Sequence, residues 1–169
     1  MTVPYGAKTL IVHQAIGGGG GGGYCGTSDG DRGGDGITGG YITNTSYDIS
    51  AYNGQTMTIY VGAGGASGNR NNQRLAGLPG GDTKVIMGST VIFNAGGGPG
   101  GNYGDDGYTG TAPAGCDKTP ITINDYDYGN NGGGAMYSSD SDPDTGNWEV
   151  ADDPPSDGNN GYLTFTMTP

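Results

Sequence analysis

Apolar residues in this chain come in short runs, and within most runs they alternate with polar ones. Residues 56–61, Thr-Met-Thr-Ile-Tyr-Val, put Met57, Ile59 and Val61 on one face and Thr56, Thr58 and Tyr60 on the other. That is the two-residue period of a strand. Residues 162–167 repeat it, with Leu163, Phe165 and Met167 inward. Residues 10–16 are more continuously apolar, which predicts a strand covered on both faces. Residues 84–87 and 90–93 flank Gly88-Ser89, a two-residue link with glycine first, the signature of a type II′ hairpin. Residues 121–123 form a further short strand pattern, and 47–51 carry a fainter one. No stretch of ten residues holds a helical period.

Glycine fills the spaces between these runs. Seven consecutive glycines, residues 17–23, follow directly on the apolar 10–16 run. Glycine loses the most backbone freedom on ordering, so such a run is either disordered or held by backbone packing that only glycine permits. Spacing decides between the two. Gly30, Gly33, Gly36 and Gly39 lie three apart, as do Gly98, Gly101, Gly104, Gly107 and Gly110, with shorter echoes at Gly62, Gly65 and Gly68 and at Gly77 and Gly80. Three residues per turn is the polyproline II period, and one face of each such segment would be bare glycine. Collagen, which needs long unbroken triplets rich in proline, does not fit these interrupted runs. The expected architecture is therefore all-β: a compact antiparallel β-sandwich with glycine-rich, partly polyglycine-II-like segments and essentially no α-helix. It spans 1–169 as a single domain, with an acidic Asp/Asn/Tyr-rich insertion at about 125–160.

Composition narrows the function classes. Of 169 residues, 40 are Gly and only 31% are hydrophobic, so a conventional core would be small. The net charge is −11, from 6 Lys+Arg against 17 Asp+Glu. That argues against nucleic acid, whose affinity rests on Lys/Arg neutralising phosphates, and against an anionic membrane surface. No segment reaches the roughly 18 apolar residues of a membrane span, and no secretory signal pattern opens the chain. Cys25 and Cys116 lack zinc-site spacing. They read as two free thiols in a reducing compartment, with a disulfide as the alternative if the fold joins them.

Candidate chemistry is sparse. His13 lies within the first strand, and no Ser/His/Asp or Cys/His set accompanies it, so no enzyme is expected. The Gly-x-Gly-x-x-Gly matches follow from glycine abundance and open no phosphate-binding helix. Asn44-Thr-Ser46 reads as an ordinary turn. Asp140, Asp142, Asp144 and Glu149 supply oxygens for a Ca2+ site, but Gly146 comes one place late and Glu149 two places early for an EF-hand. The alternative is a solvated acidic loop with Asp-Pro turns, and no other cofactor is expected. Tyrosine is frequent (12) and phenylalanine rare (2). In loops of Gly, Asn, Ser and Asp this is the mixture of a recognition surface, where Tyr gives rigid amphipathic contact area. The contact candidates are Tyr24, Tyr103, Tyr108, Tyr126, Tyr128, Tyr137 and Trp148. The competing role for these rings is to cap glycine layers and pack on neighbouring subunits.

The order of motifs resembles the glycine-rich domains of bacteriophage virion and tail-fibre proteins. Val3-Pro-Tyr-Gly6 opens the chain, and 10–16 runs into 17–23. Gly54-Gln-Thr-Met-Thr-Ile-Tyr-Val-Gly-Ala-Gly-Gly65 follows, then Gly80-Gly-Asp-Thr83 before a hairpin. Gly96-Gly-Gly-Pro-Gly-Gly101 comes next, and Gly161-Tyr-Leu-Thr-Phe-Thr-Met167 closes. The acidic 125–160 stretch has no counterpart in that plan. The resemblance implies a β-sandwich, in some relatives with packed polyglycine II helices, used in phage particles for host attachment or structure. It sets the expectation of a virion component, made in the host cytoplasm and oligomeric in the particle. Its partners would be fibre, tail or capsid proteins, and a host surface glycan or outer-membrane protein. Two roles compete: a tail-fibre, receptor-binding (adhesin) component working through Tyr- and Trp-bearing loops, and a structural or decoration protein binding other virion proteins. Ice binding by flat polyglycine faces is a third, weakened by the charged loops.

Overall fold

Alternation places the strands, and glycine takes over where each one ends. The computed structural model describes residues 1–23, 35–68, 76–101, 121–123, 126–128 and 155–169. The strands are β1 (Thr9–Ile16), β2 (Tyr41–Asp48), β3 (Met57–Tyr60), β4 (Thr83–Met87), β5 (Thr90–Ala95), β6 (Ile121–Ile123), β7 (Tyr126–Tyr128) and β8 (Tyr162–Thr168). One antiparallel sheet has the order β2-β1-β8 and a second β3-β4-β5; β6 and β7 pair as a separate antiparallel ladder. Apart from a 3-10 turn at Ser50–Tyr52, no helix occurs among the described residues.

The two three-stranded sheets face each other as a sandwich. Leu10, Val12 and Ala15 of β1 share one buried cluster with Met57, Val85, Met87, Phe93 and Ala95 of the other sheet and with Val3, Ala7 and Ile49. Leu163, Phe165 and Met167 pack against it, as their alternation predicts. Tyr47 stacks on Phe93 with ring centroids 5.6 Å apart, and burial raises its phenol pKa. Gly88 has φ 58° between Met87 and Thr90, which pair with each other. Ser89 has no positive φ, so the expected II′ geometry is present.

Four expectations change. β1 is covered on one face along most of its length: Leu10 and Val12 are buried, Ile11 is half-buried and His13 is exposed. A bulge between Val12 and Gln14 against β8 resets the alternation, so Ala15 rather than Gln14 turns inward. His13 stands out at that bulge, with its Nε2 3.2 Å from Thr166 Oγ1. Asn44-Thr-Ser46 is not a turn; it lies inside β2, with Asn44 at φ 47° beside the bulge. The strand expected at 47–51 ends at Asp48 and begins at Tyr41. Its polar sequence Tyr-Ile-Thr-Asn-Thr-Ser-Tyr-Asp hid it, because an edge strand buries little. In β3 only Met57 is buried; Ile59, and Val61 just past the strand, are exposed, because β3 is also an edge.

Beyond the sheets, six strands continue as glycine-rich segments. β1 runs into 17–23, β3 into 61–68 and β5 into 96–101; 35–40 leads into β2, 76–82 into β4 and 155–161 into β8. In a sheet, hydrogen bonds stay in the plane and side chains fill the roughly 10 Å between layers. Here the bonding direction turns a third of a circle per residue, as in polyproline II. Gly17 and Gly20 donate to the carbonyls of Gly40 and Ile37. Gly18 and Gly21 donate to Gly81 and Leu78, and Gly19 and Gly22 to Asn159 and Ser156, all at 2.8–3.0 Å. In the other direction, Gly65 and Gly68 donate to the carbonyls of Gly19 and Gly22, and Gly98 and Gly101 to those of Gly18 and Gly21. Backbone hydrogen bonds thus hold the layers together where side chains would otherwise pack.

This lattice accounts for the seven-glycine run. Residues 17–23 form the central segment and are buried throughout. None of them has positive φ, so conformation alone would admit any L residue. Space does not: a Cβ on Gly17, Gly18, Gly20 or Gly21 would land on the backbone of Gly96, Ala63, Pro99 or Ala66. Surrounding segments need glycine only where they face a neighbour. Gly36 and Gly39 lie against the carbonyls of Gly20 and Gly17, and Gly77 and Gly80 against those of Gly21 and Gly18, while Leu78 turns outward and is exposed. The ordered three-residue series expected from sequence is therefore present for Gly36 and Gly39, for Gly62, Gly65 and Gly68, for Gly77 and Gly80, and for Gly98 and Gly101. The rest of those series lies outside the described residues. Residues 155–160, the end of the expected insertion, belong to this lattice.

Candidate functional surface

The hydrogen-bond register gives the molecule two distinct ends. At the sheet end, Gly17 lies level with Gly40, Gly40 with Gly96, and Gly161 with Gly62. At the far end, Gly22 pairs with Ser156 and Gly68, and Gly101 with Gly21 and Gly77. Segments 17–23, 61–68 and 96–101 run toward the far end; 35–40, 76–82 and 155–161 return from it. The described segments therefore end at residues 23, 68 and 101 and resume at 35, 76 and 155, always at the same end of the bundle. Polar contacts tie this part together: the Ser67 N–H donates to Asp157 Oδ1 at 2.6 Å and the Gly64 N–H to Asn160 Oδ1 at 2.9 Å.

Of the contact candidates, Tyr126 and Tyr128 are the end residues of β7, paired with Ile123 and Ile121. Tyr24, Tyr103, Tyr108, Tyr137 and Trp148 lie outside the described residues, as do Asp140, Asp142, Asp144 and Glu149, Cys25 and Cys116. All of these lie on the connections between residues 23 and 35 or between 101 and 155. Among the described residues, no three His, Cys, Asp or Glu side chains gather as metal ligands.

The sheet end offers a second surface. A shallow hollow of about 170 Å³ lies between residues 4–7 and 167–169, beside the exposed Tyr5 ring. On the outer face of the second sheet, Tyr60 and Val91 are exposed, and Lys84 Nζ lies 5.5 Å from the Tyr60 ring centroid. Lys84 also lies 3.5 Å from Asp82. Asp82 accepts from the Gly97 N–H at 3.1 Å and from Asn94 Nδ2 at 3.3 Å. The Gly97 N–H, with smaller help from Asn94 and Lys84, holds its carboxyl below the usual carboxylate range against a partial burial that acts the other way. The Ser50 N–H does the same for Asp48. Sequence reading gave Asp82 no role, although it stands in the Gly80-Gly-Asp-Thr83 motif.

These depressed carboxyls set the sign of an acid response. A group whose folded pKa lies below its unfolded value adds stability above the unfolded pKa, about 3.9 for Asp, and loses it as pH falls through the folded value. Tm should be flat from neutral pH down to about 5 and fall below about 4. Asp82→Asn, which keeps an acceptor for Gly97 but cannot titrate, should make that fall shallower. Identical acid limbs for the two proteins in a series of thermal melts would show that Asp82 carries none of it.

A search of curated proteins returned no match. The family model for the glycine-rich domain matches residues 1–168, which takes in every strand and every segment of the lattice described above. On that end-to-end match the chain belongs to the glycine-rich domain family.

Proposed function

We propose that this protein is a non-enzymatic bacteriophage virion component that binds a host receptor through the connections at the far end of its glycine bundle, as part of a tail fibre. The observation that carries this reading is the single-ended exit and re-entry of the chain. A bundle held by backbone hydrogen bonds in several directions is a stiff support, and recognition residues belong on loops carried by such a scaffold. The sequence of those connections, with Tyr24, Tyr103, Tyr108, Tyr137 and Trp148 among Gly, Asn, Ser and Asp, suits rings that stack on sugars or cover a loop of an outer-membrane protein. The phage setting rests on the motif order from Val3-Pro-Tyr-Gly6 to Gly161-Tyr162.

A structural or decoration role is the second reading, favoured by the exposed Tyr5, Tyr60, Val61 and Val91 at the sheet end, which would meet another virion protein. One experiment separates them. Labelled purified protein is offered to susceptible bacteria and to phage particles. The receptor reading expects saturable binding to cells, weakened about tenfold or more by Trp148→Ala with Tm unchanged. Binding to particles but not to cells would replace it with the structural reading.

A further inference from the structure

One edge of the second sheet is unfinished. The Met57 N–H donates to the Met1 carbonyl, and the Met1 nitrogen donates to the Met57 carbonyl at 2.9 Å. Met57 therefore aims both of its backbone groups away from β4. An antiparallel strand reverses that direction at each residue. Thr58 and Tyr60 thus bond to β4, while Ile59 and Val61 face outward as Met57 does. No described group takes the N–H or C=O of Ile59 or Val61. The free stretch is bounded on both sides. Met1 holds the edge at Met57, and Gly62 already gives its N–H to Thr83 and its C=O to Gly161.

Proteins protect such edges with charge, proline, bulges or a cover. β2 carries Asn44 at φ 47° and ends on Asp48. β5 has an extra residue, Ile92, where its register against Val85 and Ile86 shifts. In β8 all but Thr166 are half-buried. β3 has none of these: it pairs with β4 in unbroken register and holds neither proline nor charge. No charged residue lies between Asp48 and Arg70, in a chain of net charge −11. Lys84, beside Tyr60 on β4, is offset by Asp82. Ile59 and Val61 keep the alternation of a covered face, yet they are 37% and 54% exposed. Local pattern and single copy disagree here, which points to a contact that the single copy lacks.

We propose that this edge pairs with the same edge of a second copy, antiparallel about a two-fold axis at Tyr60. The free residues are two apart, so that axis sets Ile59 of each copy opposite Val61 of the other. Each such pair exchanges both backbone hydrogen bonds, and Tyr60 faces its own counterpart in the non-bonded pair between them. Two three-stranded sheets become one of six, and Ile59 and Val61 cover each other across the join. A two-fold dimer requires a self-complementary patch of this kind. The missing charge favours a second copy over a basic or acidic partner. The edge offers such a partner nothing to pair with, and it lets two chains of 17 Asp+Glu meet without opposing carboxylates. Of the residues that the structural reading gives to another virion protein, Tyr60 and Val61 then meet this copy, and Tyr5 and Val91 stay open.

Sedimentation velocity on the untagged full chain tests this, under reducing conditions so that Cys25 and Cys116 link nothing. The expected result is a reversible monomer–dimer equilibrium. Ile59→Lys sets an ammonium against the other copy's Val61, and Val61→Glu sets a carboxylate against its Ile59. Each should weaken the dimer about tenfold or more with Tm unchanged, because both side chains are exposed in the single copy. The double variant puts the new ammonium opposite the new carboxylate at both ends of the join and should recover most of the loss. A monomer at every concentration up to about 0.1 mM would overturn the proposal. So would a dimer that neither single change weakens, since another surface would then hold it. A double variant that dimerises no better than the single ones would overturn the pairing about Tyr60.

Discussion

Gly20→Ala should destabilise the protein, and Gly20→Val should prevent it from folding to its native state at ordinary temperature. The sign is the informative part. A glycine in a flexible linker at negative φ is stabilised by alanine, by about 0.4–1 kcal/mol, because the unfolded chain loses freedom. Gly20 has no positive φ, so that gain is available here as well. Against it stands a Cβ placed on the Pro99 carbonyl, with the Gly98 carbonyl oxygen at 2.8 Å. Neither is the end of a flexible side chain; both are backbone atoms already bonded into the lattice. Moving them breaks the hydrogen bonds that the Pro99 and Gly98 carbonyls accept from the Ile37 and Gly80 N–H groups. The expected loss is about 3 kcal/mol or more for alanine and more than about 5 for valine, at the far end of what single substitutions cost. A domain holds only about 5–15 kcal/mol in total. Thermal or urea unfolding of the two variants checks it. An unchanged or raised midpoint for Gly20→Ala would return the run to the status of a linker.

The second large effect belongs to Thr83, where the sandwich becomes the lattice. Its side chain is fully buried. Its hydroxyl accepts from the Gly62 N–H at 2.9 Å and donates to the Ile16 carbonyl at 2.6 Å, joining the two sheets at the point where side-chain packing gives way to backbone bonding. One donor with two lone pairs serves both neighbours at once. Thr83→Val keeps the shape and removes both bonds, taking the acceptor from the Gly62 N–H and a donor from the Ile16 carbonyl. At about 1–3 kcal/mol per group, the expected loss is at most roughly 2–6 kcal/mol. Thr83→Ser, which keeps the hydroxyl, should recover most of it. Equal midpoints for the valine and serine variants would show that the methyl group, not the hydroxyl, matters there.

The strands were largely legible because the alternation of Met57, Leu163, Phe165 and Met167 is local and the core uses it. Where reading failed, the missing information was also of one kind. β2 lay hidden because an edge strand with one covered face needs few apolar residues. Ile59 and Val61 keep the alternation of a buried face, yet their strand has only one neighbour in its sheet. The β1 bulge at His13 has no residue signature. The role of Thr83 needed the position of Ile16, 67 residues away. The candidate surface was legible as composition, with Tyr and Trp set among Gly, Asn and Asp. That their connections all leave one end of the bundle follows from the antiparallel return of each glycine segment.

The sequence by itself pointed to order in the glycine segments joined to strands, such as residues 17–23, 61–68 and 96–101. Three-residue spacing joined to strands, in a chain too poor in apolar residues for a conventional core, leaves little else to hold the fold. Only the tertiary structure decided why one segment carries seven glycines and the others carry interrupted ones. A residue's own turn sets its direction, but whether a side chain fits there depends on what lies in that direction. Residues 17–23 are buried throughout, and a Cβ on Gly17, Gly18, Gly20 or Gly21 would meet another backbone. The outer segments have a free side, and there Leu78, Ile37 and Pro99 are accommodated.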